Sequence, residues 1–130
     1  FEAYPNALEP ITRSSEPTDS RMQAFEAYET GDYAKAASGF QQLLTLEEDS
    51  DIRFYLAMSF QNNSQFDSAL AELQRLEGAS TQFASQALWY RALLEIRAEQ
   101  REAAAKTLEK LLQAEPAYKA PEARVLLEEL

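Results

Sequence analysis

The stretch AYETGDYAKAASGF, residues 27–40, interrupts one helical pattern and at once begins another. Residues 30–32, Thr-Gly-Asp, break the first pattern, because glycine and aspartate favour turns over helix interiors. Helical spacing then returns with Tyr33, Ala36 and Phe40. A helix that stops for so short a turn, and restarts with small residues, predicts two helices folded tightly on each other with alanines where their backbones touch.

The same pattern recurs twice further along the chain. Residues 20–44 align with 53–77 at a shift of 33 residues, and 53–77 align with 88–112 at a shift of 35. Two columns of alanine run through the three copies: Ala24, Ala57 and Ala92, then Ala36, Ala69 and Ala104. A methyl group at these places allows close approach of two helices. Repetition at this period predicts a series of stacked helical hairpins.

Seven helices are predicted from the apolar spacing and the turn signals, with boundaries uncertain by a few residues. The segments are 19–30, 33–46, 51–62, 66–77, 82–98, 101–114 and 119–130. Pro116 is expected to stop the sixth helix, and Pro121 suits the first turn of the last one. Residues 1–17 hold three of the five prolines and have no helical period, so we expect an extended arm or linker there and a helical domain over 18–130.

The composition excludes several classes of function. The 130 residues include no cysteine and no histidine, which removes thiolate, zinc–thiolate and imidazole chemistry. The net charge of −10 repels phosphate backbones, so nucleic acid is a poor partner. Ser59 and Ser85 have no histidine to activate them, and no glycine-rich phosphate loop exists. We therefore expect no enzyme, cofactor, metal or small-molecule substrate, and we interpret the acidic residues of 47–51 as a solvated loop.

The small residue, the turn, Gly-Asp-Tyr and the alanine three residues after the aromatic, repeated about every 34 residues, resemble the tetratricopeptide repeat. The resemblance implies an all-α fold, a right-handed α-solenoid of three hairpins at about 20–48, 53–81 and 88–116 with a C-terminal capping helix at about 119–130. Pro116 stands where the family's proline closes a repeat. The third copy has Glu-Gln-Arg at 99–101 in place of Gly-Asp-Tyr, so we expect a looser corner there.

In proteins of this family the first helices of the repeats line a concave groove that receives an extended peptide or a partner's helix. The resemblance makes seven residues the candidates for peptide binding: Phe25, Tyr28, Phe54, Met58, Gln61, Trp89 and Arg97. The alternative for each aromatic is core packing, because aromatics at helical spacing usually point inward. Some members grip a C-terminal carboxylate with Lys and Asn, and the corresponding places here do not match.

The leading hypothesis is a non-enzymatic protein–protein interaction module, and the alternative is a self-associating structural or spacer domain of a membrane-anchored protein. A weak homo-oligomer is left open. FEAYPNALEPITR at 1–13 and the third repeat resemble tetratricopeptide proteins of Bacteroidetes-type bacteria, in which such repeats form the soluble part of a chain held by one membrane helix. That resemblance implies an envelope-facing, periplasmic domain that meets the membrane only through a segment missing from this chain, with a cytoplasmic location as the alternative.

Overall fold

The structure is a computed structural model that describes residues 16–77, 83–114 and 117–130, with side chains from residue 20 onward. Over these residues the chain forms seven α-helices and no strand. They are α1 (Glu16–Thr30), α2 (Tyr33–Leu46), α3 (Ser50–Asn62), α4 (Phe66–Glu77), α5 (Ala84–Arg97), α6 (Arg101–Leu112) and α7 (Ala120–Glu129). The all-α fold class predicted from the sequence is confirmed, and consecutive hairpin-like packing agrees with a solenoid of tetratricopeptide repeats.

The chain divides into two compact units, Phe1–Glu72 and Leu73–Leu130, whose boundary falls within α4. In the first unit α1 packs on α2, and α2 packs on α3; in the second unit α5 packs on α6, and α6 packs on α7. The predicted arm at 1–17 falls almost entirely outside the described residues, as do Pro116 and the end of the second repeat at 78–81.

The two alanine columns lie in the interior of the protein. All six alanines are at most 2% exposed. In the first hairpin α2 also carries Gly39, and a Cβ atom at Gly39 would lie 2.9 Å from the Cβ atom of Ala24 on α1. Real Cβ atoms essentially never approach so closely, so this crossing has room for one methyl group and not for two. Gly39 is part of the contact seam that the sequence repeat had assigned to alanine alone.

The three corners between paired helices share one backbone geometry. Gly31, Ser64 and Glu99 each have a positive φ, of 86°, 60° and 62°. In every corner the N–H of this residue donates to the carbonyl three residues back, and the next N–H donates to the carbonyl five residues back, with N–O distances of 2.8–3.2 Å. This is the Schellman arrangement that ends many helices. The expected loosening of the third corner is wrong, because Glu99 adopts the left-handed conformation that Gly31 adopts at lower cost.

The acidic residues around 47–51 have local structural roles. The Asp49 carboxylate caps α3 by accepting hydrogen bonds from the backbone N–H groups of Asp51 and Ile52, at 2.9 and 3.3 Å. Glu48 binds the guanidinium of Arg53, which also pairs with Glu72. These hydrogen bonds, that to Glu48 above all, raise the pKa of Arg53 above its ordinary value despite partial burial. The loop is therefore fastened to α3 as well as solvated.

The second unit has its own apolar core and a buried polar bridge. The core is formed by Leu88, Ala92, Leu108, Leu111 and Ala123. The Glu95 carboxylate on α5, only 4% exposed, accepts a hydrogen bond of 2.6 Å from the Thr107 hydroxyl on α6. Arg91 donates to the other oxygen of the same carboxylate at 3.3 Å. A buried charge is tolerated only when it is paired in this way, and the bridge joins the two helices of the third repeat.

Candidate functional site

The seven groove candidates differ in how far the fold covers them. The apolar candidates of α1 and α3 are all buried: Phe25, Tyr28, Phe54 and Met58. Gln61, at the end of α3, is buried as well. The two candidates on α5 are more open, since Trp89 is half-buried and Arg97 is exposed. Sequence spacing placed all seven on first helices, but it did not distinguish covered from open positions.

Three of the buried aromatics meet around one ring. The Tyr55 ring on α3 lies 5.2 Å from that of Phe25, 5.4 Å from that of Tyr28 and 5.5 Å from that of Phe54, measured between centroids. All three pairs are edge-to-face, the arrangement that aromatic quadrupoles favour. Phe40 of α2 completes the cluster, 5.0 Å from Phe25. These contacts agree with the core-packing alternative for Phe25, Tyr28 and Phe54, while a role for them in binding a ligand stays a prediction.

Gln61 is the polar exception among the buried candidates. Its side chain is 3% exposed, and neither its Nε2 nor its Oε1 atom has a hydrogen-bond partner among the described residues. Its neighbours on α3 are satisfied, because Ser59 donates to the Tyr55 carbonyl at 2.7 Å and Asn62 donates to the Met58 carbonyl at 2.8 Å. Buried polar groups are normally paired, so an amide with neither polar atom paired among the described residues is unusual.

An apolar cleft of about 500 Å³ lies in the second unit beside Trp89. Its lining is Trp89 and Leu93 on α5, and Pro121, Glu122, Val125, Leu126 and Glu129 on α7. Pro121 lies in the first turn of α7, as the sequence predicted. Trp89 and Leu126 also pack against the core of the second unit, so the core supports these two lining side chains. The cation of Lys119 lies 5.7 Å from the centre of the Trp89 ring, within cation–π range.

The contribution of α7 to this cleft was missed at the sequence level. The signal was present, because Glu122, Val125, Leu126 and Glu129 follow the i, i+3, i+4, i+7 spacing of one helical face. The sequence predicted α7 only as a solvating cap. Helical spacing alone did not reveal which other helix this face of α7 would contact.

Two other kinds of site receive no support from the described residues. Within 16–77, 83–114 and 117–130 no group of three or more acidic residues is placed so as to hold a metal ion. The same part of the chain contains no helix long and apolar enough to cross a membrane. Ser85, considered above as a nucleophile, accepts a hydrogen bond of 2.7 Å from the backbone N–H of Tyr118 and so has a structural contact.

The sequence profile of the tetratricopeptide repeat family matches residues 86–117. This segment covers most of α5 and all of α6, and it coincides with the third predicted repeat, the one whose corner departs most from Gly-Asp-Tyr. No curated protein matches the chain. The profile match and the helical repeats together support a tetratricopeptide repeat protein, and such repeats generally mediate protein–protein interaction.

Proposed function

We propose that this chain is a non-enzymatic interaction module that binds an extended segment of a partner protein through the first helices of its repeats. The observation that carries the proposal is the buried, unpaired amide of Gln61. Tetratricopeptide repeats are typically non-enzymatic and generally bind proteins or peptides, which supports the same class of function.

The chemistry of an amide side chain suits a peptide backbone. Gln61 offers N–H donors and a carbonyl acceptor on one flat group, and each peptide unit of a ligand offers the complementary pair. Leaving a buried donor or acceptor unpaired costs about 1–3 kcal/mol, so the free protein is destabilised at this side chain and a ligand backbone removes that cost on binding. Because every peptide has the same backbone, Gln61 would hold the chain direction and register of the ligand rather than read its sequence.

The surroundings of Gln61 on α3 are apolar. Phe54 and Met58 precede it by seven and three residues, so the three side chains project from one face of the helix. A hydrogen bond is stronger where water is excluded, and these buried neighbours supply such a setting. In this proposal Phe25 and Tyr28 support that setting from α1.

The test begins with a library of random peptides selected on the wild-type chain. The selected peptides are then titrated against Gln61→Met and against Gln41→Met, which makes the same change at an exposed position of α2. Two lost hydrogen bonds should weaken binding to Gln61→Met by about 10- to 100-fold, while Gln41→Met should bind like the wild type.

A second arm asks whether Gln61 contacts the ligand backbone. Each peptide bond of one selected peptide is N-methylated in turn, which removes one backbone donor at a time. At one position the modification should weaken binding to the wild type and have no further effect on Gln61→Met. Equal binding to the wild type and Gln61→Met, or effects of N-methylation that are the same in both, would contradict the proposal.

The location of the protein is a separate proposal that rests on the narrower resemblance. The likeness of residues 1–13 and of the third repeat to Bacteroidetes-type proteins supports a periplasmic domain carried by a membrane-anchored chain. Protease added to intact cells, to cells with a permeable outer membrane, and to spheroplasts would cleave a periplasmic domain only after the outer membrane is opened. Protection until the inner membrane is broken would place the domain in the cytoplasm.

A further inference from the structure

We propose that α7 is a binding element and that the cleft between α5 and α7 accepts an apolar partner segment flanked by lysine or arginine. The terminal helix of a repeat protein usually presents a polar outer face, because that face meets water. Here Val125 on α7 is 56% exposed, and within the described residues it is one of two large apolar side chains that are so open. Its exposure is not scattered, since it forms one wall of the cleft opposite Trp89 and Leu93.

The charges at the cleft indicate the chemistry of its occupant. Glu122 and Glu129 are the charged members of the lining, and both are exposed on α7. They are seven positions apart on the helix, a distance of about 10 Å along the axis, and Val125 and Leu126 lie between them. A cleft that is apolar in the middle and negative at two points complements an apolar side chain with a cation on each side.

Among the described residues neither Glu122 nor Glu129 forms an ion pair with a cation of the protein. The cation of Lys119 lies over the Trp89 ring. The 10 Å between the two carboxylates matches basic residues about three apart in an extended segment, or about seven apart in a helix.

This surface goes beyond the proposed function, because its lining shares no residue with α3 and does not depend on Gln61. Its test uses a different signal. Trp89 is the only tryptophan in the chain, so its fluorescence reports on the cleft directly. Failure at the cleft would leave the Gln61 proposal standing, and loss of the Gln61 effect would leave the cleft unaffected.

The probes are two synthetic peptides that share an apolar Leu-Phe core and differ only in the flanking residues, lysine in one and glutamate in the other, so that the flanking charges are three positions apart. Titration of the Lys-flanked peptide should shift Trp89 emission to the blue as the ring is covered. The Lys-flanked peptide should bind at least about tenfold more tightly than the Glu-flanked one, with the difference falling as salt is raised.

A charge exchange provides the matched control. The double variant Glu122→Lys with Glu129→Lys should reverse the preference between the peptides. The double variant Glu102→Lys with Glu109→Lys makes the same change in net charge at two exposed positions of α6 that are also seven apart, and it should retain the preference of the wild type.

Three results would overturn the proposal. The first is equal binding of both peptides, and the second is an equal response of the two double variants, which would reveal only an effect of net charge. The third is a shift of Trp89 emission with protein concentration alone, accompanied by a doubled mass in light scattering, which would mean that a second copy of the chain covers the cleft. Retained helical circular dichroism in each variant excludes unfolding as the cause of a lost signal.

Discussion

Replacing Gln61 with methionine should stabilise the protein while it weakens ligand binding. The amide is 3% exposed and both of its polar atoms are unpaired among the described residues. Each such group costs about 1–3 kcal/mol when buried. Methionine has a similar length and an almost equal helix propensity, so the change removes the polar groups without altering the backbone. Because the thioether and its methyl group also have to fit the site, we expect a net gain of about 1–3 kcal/mol in the free energy of unfolding.

Urea denaturation followed by circular dichroism measures this gain as a higher midpoint with an unchanged slope. Gln41→Met, at an exposed site on α2, should change the unfolding free energy by less than about 0.5 kcal/mol. A loss of stability in Gln61→Met would refute the reasoning, because it would show that the amide has partners in the folded protein. The expected combination of greater stability and weaker binding is the signature of a side chain retained for function.

The remaining predictions concern the hairpins and the cleft. Gly39→Ala should lower the unfolding free energy by about 1 kcal/mol, because a clash of about 1–3 kcal/mol outweighs a helix-propensity gain of about 1; adding Ala24→Gly should relieve the clash, as a double-mutant cycle would register. Glu99→Gly should raise the free energy of unfolding by about 1 kcal/mol, since glycine adopts a positive φ without strain. Thermal denaturation should show this as a higher melting temperature, and an unchanged melting temperature would contradict it. Ala57→Glu should cost about 3 kcal/mol or more by burying an unpaired charge, and a variant that melts like the parent would count against the repeat assignment. Trp89→Ala should cost about 2 kcal/mol in calorimetric binding of the Lys-flanked peptide, with a native helical spectrum; full binding would place the peptide elsewhere.

The helices were predictable because local signals and the repeat agree. The predicted segments 33–46 and 66–77 have the bounds of α2 and α4, and each follows a corner residue with a positive φ. The turn chemistry of Gly31 is visible in the sequence, and alignment transfers it to Ser64 and Glu99. The alignment did not predict the backbone strain at Glu99. A residue other than glycine was expected to loosen the corner, but Glu99 adopts the same left-handed backbone as Gly31.

The candidate site was only partly predictable, because helical spacing defines a face and not what covers it. Phe54, Gln61 and Trp89 occupy similar faces of first helices, yet the first two are buried and the third is half-buried. The unpaired state of Gln61 depends on atoms distant in sequence, so it has no local signal. The cleft at Val125 needed the knowledge that α7 lies beside α5, which is a property of the fold.

The common geometry of the three corners has a consequence for how such a chain can grow or be rebuilt. The turn is specified by two main-chain hydrogen bonds and one left-handed residue, and the side chains at Ser64 and Glu99 differ in size and charge without changing it. Each hairpin is therefore a unit whose corner geometry does not depend on the residue type at the left-handed position. Corners could be exchanged between hairpins, or an additional copy spliced in, without resetting the register of the helices on either side, so the faces that meet partners are free to diversify while the joints stay the same.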